Sequence, residues 1–96
     1  MAGYFQVAHL KIDSENLIII PLGSEGMVSK NAAQKKELHQ EFKRCMRDAG
    51  LNGAVMLAWP QRGAMSFYGD NNWLSYMKSK NMQWVNQKVN RKVRCD

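Results

Sequence analysis

Leu17-Ile18-Ile19-Ile20-Pro21-Leu22 is the stretch whose reading decides this fold. Three consecutive β-branched residues between leucines favour extended backbone and read as a buried strand. Pro21 has no N–H to give to a ladder, so it marks the strand's end or an edge. Just upstream, Asp13-Ser14-Glu15-Asn16 is turn chemistry, and Tyr4 to Ile12 before it is rich in β-formers. The two runs are expected to pair as a hairpin.

Downstream of Leu22, Gly23 to Met27 reads as a loop. Ser29 is the expected N-cap of a helix running to about Ala49, with Ser24 as an alternative earlier start. Within it Leu38, Phe42, Cys45, Met46 and Ala49 recur at helical spacing as one apolar stripe. Lys35, Lys36, Lys43, Arg44 and Arg47, among Glu37, Glu41 and Asp48, take the opposite face. Gly50 is placed to close the helix in the left-handed conformation. Asn52-Gly53 then turns the chain into Ala54 to Trp59, where Val55, Leu57 and Trp59 share one side of a pleat. Pro60-Gln61-Arg62-Gly63 is a compact turn into a strand from Ala64 to Tyr68. Gly69 and Asp70-Asn71-Asn72 lead into a short helix carrying Trp73, Leu74 and Met77, and Asn81 caps a last segment from Met82 to Val93.

These elements predict an α+β fold in ββαββα order: a four-stranded, mostly antiparallel sheet with helices packed on one face. Ninety-six residues fit a single domain spanning 1–96. Residues 89–95 admit two readings. A helix through about Asn90 keeps Met82, Val85, Val89 and Val93 on one apolar keel. Alternatively, Val89, Arg91, Val93 and Cys95 alternate with Asn90, Lys92 and Arg94, which fits a short C-terminal edge strand guarded by its charges. The helix is preferred and the last six residues stay open.

The net charge of +6 is unevenly placed. Up to Pro60, seven Lys/Arg face six Asp/Glu; from Gln61 onward, seven face only Asp70 and Asp96. Trp73, Tyr76 and Trp84 are threaded among those late cations. A basic end with interleaved aromatics suits a polyanion, because lysine and arginine meet phosphates and an indole stacks on an unpaired base. The candidate contact residues are Arg62, Lys80, Trp84, Lys88, Arg91, Lys92 and Arg94. The competing view is that the cations merely solvate the surface while Trp73 and Trp84 pack against the sheet.

Other chemistry finds little support. His9, His39, Cys45 and Cys95 lack metal-ligand spacing, so neither a metal nor a cofactor is expected. Gly23-Ser24-Glu25-Gly26 lacks a phosphate-cradling pattern, and no nucleophile motif is present. His39 reads as a surface residue, Cys45 as a core residue and Cys95 as exposed. Without an export signal two free thiols and a cytoplasmic location are expected, and the longest apolar run, Leu17 to Leu22, is too short for a membrane. The expectation is a small non-enzymatic binding module whose partner is nucleic acid. The alternative is a protein–protein module, an inhibitor, adaptor or assembly subunit, that meets an acidic protein surface through aromatic and arginine anchors. A homodimer through an exposed strand edge is a further expectation.

Overall fold

The computed structural model describes residues 3–96. In chain order these form strand β1 (Gly3–Ile12), β2 (Glu15–Pro21), helix α1 (Ser24–Val28), α2 (Ala32–Asp48), β3 (Ala54–Gln61) and β4 (Ala64–Gly69). A 3-10 turn at Asn71–Trp73, α3 (Leu74–Lys78), α4 (Met82–Lys88) and β5 (Arg91–Cys95) follow. One mixed sheet runs β4-β3-β2-β1-β5. Every neighbouring pair is antiparallel except β2 and β3. The fold is therefore α+β with mostly antiparallel pairing, as expected, and its fifth strand is the C-terminal edge strand that residues 89–95 admitted beside the four expected.

The helices occupy both faces of the sheet, where one was expected, and the reason lies in β2. Leu17, Ile18, Ile19 and Ile20 are all fully buried. Successive strand residues point to opposite faces, so a run without a polar position must be covered on both. Ile18 and Ile20 join Val7, Phe42, Met46, Val55, Leu57 and Trp59 beneath α1 and α2. Leu17 and Ile19 join Ala8, Met56, Ala58, Trp73, Met77 and Val85 beneath α3 and α4. Each fully buried branched side chain stabilises the fold by about 1.5–3 kcal/mol. The parallel pairing of β2 with β3 requires a crossover, which delivers α1 and α2 to one face, and the chain after β4 supplies the other.

Both hairpins close through two residues of positive φ, Asp13 (50°) with Ser14 (70°), and Arg62 (53°) with Gly63 (75°). That is the mirror-image turn whose twist matches paired strands. The long helix starts later than expected. Ser24–Val28 is a separate short helix, and Ser29 follows it. Asn31 caps α2 instead: its side chain accepts the Gln34 N–H at 2.8 Å, while the Gln34 side chain accepts the Asn31 N–H at 2.9 Å. At the other end Leu51 N–H reaches the Met46 carbonyl at 2.9 Å and Gly50 N–H that of Arg47 at 3.0 Å. Gly50, at φ 84°, makes this reversal.

Three further expectations are corrected. The helix preferred through Asn90 ends at Lys88, and residues 91–95, left open, take the alternative reading as an edge strand beside β1. Asn90 makes the switch: its side chain accepts the His9 N–H and donates to the His9 carbonyl, both at 2.9 Å, occupying a ladder position. Cys45 and Cys95 are a disulfide with Cα atoms 5.6 Å apart, and Cys95 is buried rather than exposed. Fifty residues separate them in sequence, and only the pairing of β5 onto β1 brings Cys95 under α2. His39 is 8% exposed, not a surface residue. Its ring nitrogen Nε2 lies 2.8 Å from the Val55 carbonyl, to which it donates.

Candidate polyanion-binding surface

From Asn71 to Cys95 the chain carries six Lys/Arg and no carboxylate. The same stretch builds α3, α4 and β5, so the question is where the fold places its cations. Asn81 starts α4 by accepting the Trp84 N–H at 2.9 Å. Val85 and Met77 bury against the sheet and fix the outer positions of Tyr76, Lys80, Trp84 and Lys88. Trp73 meets Tyr76 edge to face at 5.4 Å, and Tyr76 meets Trp84 at 6.0 Å. Trp73 is the buried end of this ladder, whereas Tyr76 and Trp84 are half-buried.

Lys80 Nζ lies 4.8 Å from the Tyr76 ring centre and 5.0 Å from that of Trp84. An ammonium over two aromatic faces is held by their quadrupoles while its remaining donors stay in water. Lys80, Trp84, Lys88 and Tyr76 form one wall of a shallow groove of about 290 Å³, and Leu10, Lys11 and Ile12 of β1 form the other. Burial raises the Tyr76 phenol above its ordinary pKa of 10.0, and the charge of Asp13 raises it further.

A second focus lies at the opposite end of β1. Tyr4 is 63% exposed and pairs in register with Arg94. Lys92 Nζ sits 5.0 Å from its ring centre and the Arg94 guanidinium 6.0 Å. Arg94 also meets Asp96 at 3.5 Å. Tyr4, Lys92 and Arg94 alternate with Phe5, Val93 and Cys95, which turn toward α2. They therefore share the sheet face that α3 and α4 cover.

The seven candidate residues thus separate. Lys80, Trp84 and Lys88 stand together, and Lys92 and Arg94 stand together on the same face. Arg91 pairs with Val7 and projects on the α2 face with it. Arg62 lies in the β3–β4 turn, across the sheet from β5. One contributor, Tyr4, was missed. It joins the surface only through strand pairing, which no local signal announces.

The α2 side offers a different arrangement. Asp70 accepts the Val55 N–H at 3.0 Å and meets Lys43 at 3.4 Å, while His39 holds the Val55 carbonyl. Together they clamp the start of β3. A wider groove of about 430 Å³ follows, lined by Lys43, Arg44 and Arg47 over Met46, Leu51 and Val55. Among the described residues no group of three or more His, Cys, Asp or Glu is placed to hold a metal, and no helix is long and apolar enough to cross a membrane. No protein-family model, curated protein or solved structure matches the chain.

Proposed function

We propose that this chain is a non-enzymatic binding module that engages single-stranded nucleic acid through the α3–α4 face of its sheet. The observation that carries this reading is the carboxylate-free run from Asn71 to Cys95, which places Lys80 and Lys88 beside Trp84 and Tyr76, and Lys92 and Arg94 beside Tyr4. Phosphates meet the cations, and the half-exposed rings give bases a π-face.

Salt titration tests it with a labelled oligonucleotide. Each phosphate contact lowers the slope of log K against log salt by about 0.7, so the Lys80–Lys88 focus predicts a slope of about −1.4 and both foci together about −2.8. Lys80→Glu with Lys88→Glu removes the first contribution. A slope near zero, or no binding at low salt, sinks the reading.

A second reading, docking on an acidic protein face, is favoured by one observation. Lys80 already covers the Tyr76 and Trp84 rings, and a carboxylate meets that ammonium without needing a bare ring. A complex that survives nuclease treatment separates the two. The cytoplasmic location expected from sequence conflicts with the Cys45–Cys95 disulfide, because reducing compartments rarely keep such bonds. Alkylating free thiols in freshly lysed cells decides it: two reactive cysteines support the cytoplasm. The homodimer expected from an exposed strand edge does not compete for this surface, since the free β4 edge lies across the sheet from β5.

A further inference from the structure

The two edges of the sheet are treated oppositely. On β5, Arg91, Lys92 and Arg94 supply three charges within five residues, the usual guard against strand addition. On β4, Ala64-Met65-Ser66-Phe67-Tyr68-Gly69 has no charge and no proline. Met65, Phe67 and Tyr68 are only half-buried, although each packs on a core cluster. A free, uncharged edge with half-covered apolar side chains is a template for another strand.

The register shows which backbone groups are free. Gln61 and Ala64 close a two-residue turn, so they form a hydrogen-bonded pair. Alternation then makes Trp59–Ser66 and Leu57–Tyr68 bonded pairs as well. Pro60, which has no N–H, falls opposite Met65 in a non-bonded pair, where none is needed. Met65, Phe67 and Gly69 therefore turn both N–H and C=O away from β3.

We propose that a second copy of this chain occupies that edge, with the two β4 strands antiparallel about a two-fold axis at Ser66. In this register Met65 lies opposite the partner's Phe67 and exchanges both hydrogen bonds with it, and the symmetric pair does the same. Ala64 lies opposite the partner's Tyr68. At the ends Arg62, exposed in its turn, comes opposite the partner's Asp70, a carboxylate that also accepts the Val55 N–H and meets Lys43 of its own chain. A one-residue shift loses that pairing and leaves outward groups facing inward ones. The ten-stranded sheet keeps both α3–α4 faces on one side, because antiparallel pairing places the axis perpendicular to the sheet. Two basic surfaces facing the same way give a long polyanion two attachment points, a consequence that rests on the reading above.

Cysteine trapping tests the register directly. Both native cysteines are bonded, so a new thiol has no internal partner. At the axis Ser66 faces its own copy in a non-bonded pair about 4.5 Å apart between Cα atoms, within disulfide reach. Ser66→Cys should convert to a covalent dimer under mild oxidation, while Lys92→Cys on the other edge stays monomeric. Sedimentation equilibrium of the unmodified chain should show a monomer–dimer equilibrium that Ser66→Lys and Arg62→Glu each shift to monomer, with circular dichroism unchanged. Equal trapping at positions 66 and 92, or a wild-type dimer that neither substitution shifts, would overturn the proposal. A trapped dimer that binds long oligonucleotides no better than the monomer counts against the polyanion reading and leaves the pairing standing.

Discussion

At the scale of single residues, chemistry hidden in the sequence emerges wherever distant segments touch. Gly53 read as a turn residue, and its φ of 139° agrees. What the sequence does not show is that a Cβ there would meet the Asn16 carbonyl oxygen at 2.5 Å, because β2 lies alongside. Gly69 is the same: its missing side chain admits the Val55 carbonyl and the Met56 sulfur. His39 was misread because its helical position sits beside the apolar stripe, and only β3 gives it an acceptor. Tyr76 carries the testable consequence. Its phenol is raised first by burial against Leu10 and Ile12 and second by the Asp13 charge in the β1–β2 turn. A raised folded pKa means the fold prefers the neutral phenol. Its contribution to stability is complete below the unfolded pKa near 10 and is lost as pH rises through the folded value. Ring NMR, assigned with Tyr76→Phe, should place its titration above 10 in the folded chain. Asp13→Asn should move it back only part of the way, since burial is the larger cause. A wild-type titration at or below 10 refutes this account.

At the scale of elements, β2 was legible and β5 was ambiguous for the same physical reason. Leu17 to Ile20 of β2 are all apolar, so burial on both faces was written there, although the expectation of helices on one face overlooked that. β5 mixes Val93 and Cys95 with three cations, a pattern both an amphipathic helix and an edge strand satisfy. The Asn90 clasp on His9 and the bond between Cys45 and Cys95 resolve it. Few apolar groups hold β5, chiefly Val93 and Cys95. Loop-closure entropy for cysteines 50 residues apart is worth about 4 kcal/mol, a large share of the roughly 5–15 kcal/mol typical of a domain. The Cys45→Ser, Cys95→Ser double variant should lower the urea midpoint accordingly, with a steeper slope because the unfolded chain without its cross-link exposes more surface. Hydrogen exchange should show the β5 amides losing protection before those of β2 and β3. If the variant unfolds at the wild-type midpoint, or β5 stays as protected as β2, the strand is held by pairing alone and this account of the disulfide is wrong.

At the scale of the whole molecule, the basic end that stood out in the sequence becomes two foci on one face. The count of cations was legible; their spacing depended on which strand β5 would join. Lys80 and Lys88 gather near the end of β1 at Ile12, and Lys92 and Arg94 gather near its start at Tyr4. Eight residues of extended strand separate these ends by roughly 26 Å. A short anion therefore reaches one focus, and only a longer one reaches both. This predicts a stepped dependence on oligonucleotide length, within the span of about 4–16 nucleotides that such modules cover. Below the step, Lys80→Glu with Lys88→Glu should abolish most binding, while Lys92→Glu with Arg94→Glu changes it little, because the groove beside Trp84 offers the extra stacking surface. Above the step, either pair should cost affinity and reduce the salt slope, and all four changes together should leave neither. Fluorescence anisotropy across a length series, repeated at several salt concentrations, measures both quantities at once. A smooth rise with length, with the two double variants equally harmful at every length, means one diffuse positive field. The aromatic–lysine pairings at Trp84 and Tyr4 would then be packing, and the two foci would have no separate role in binding.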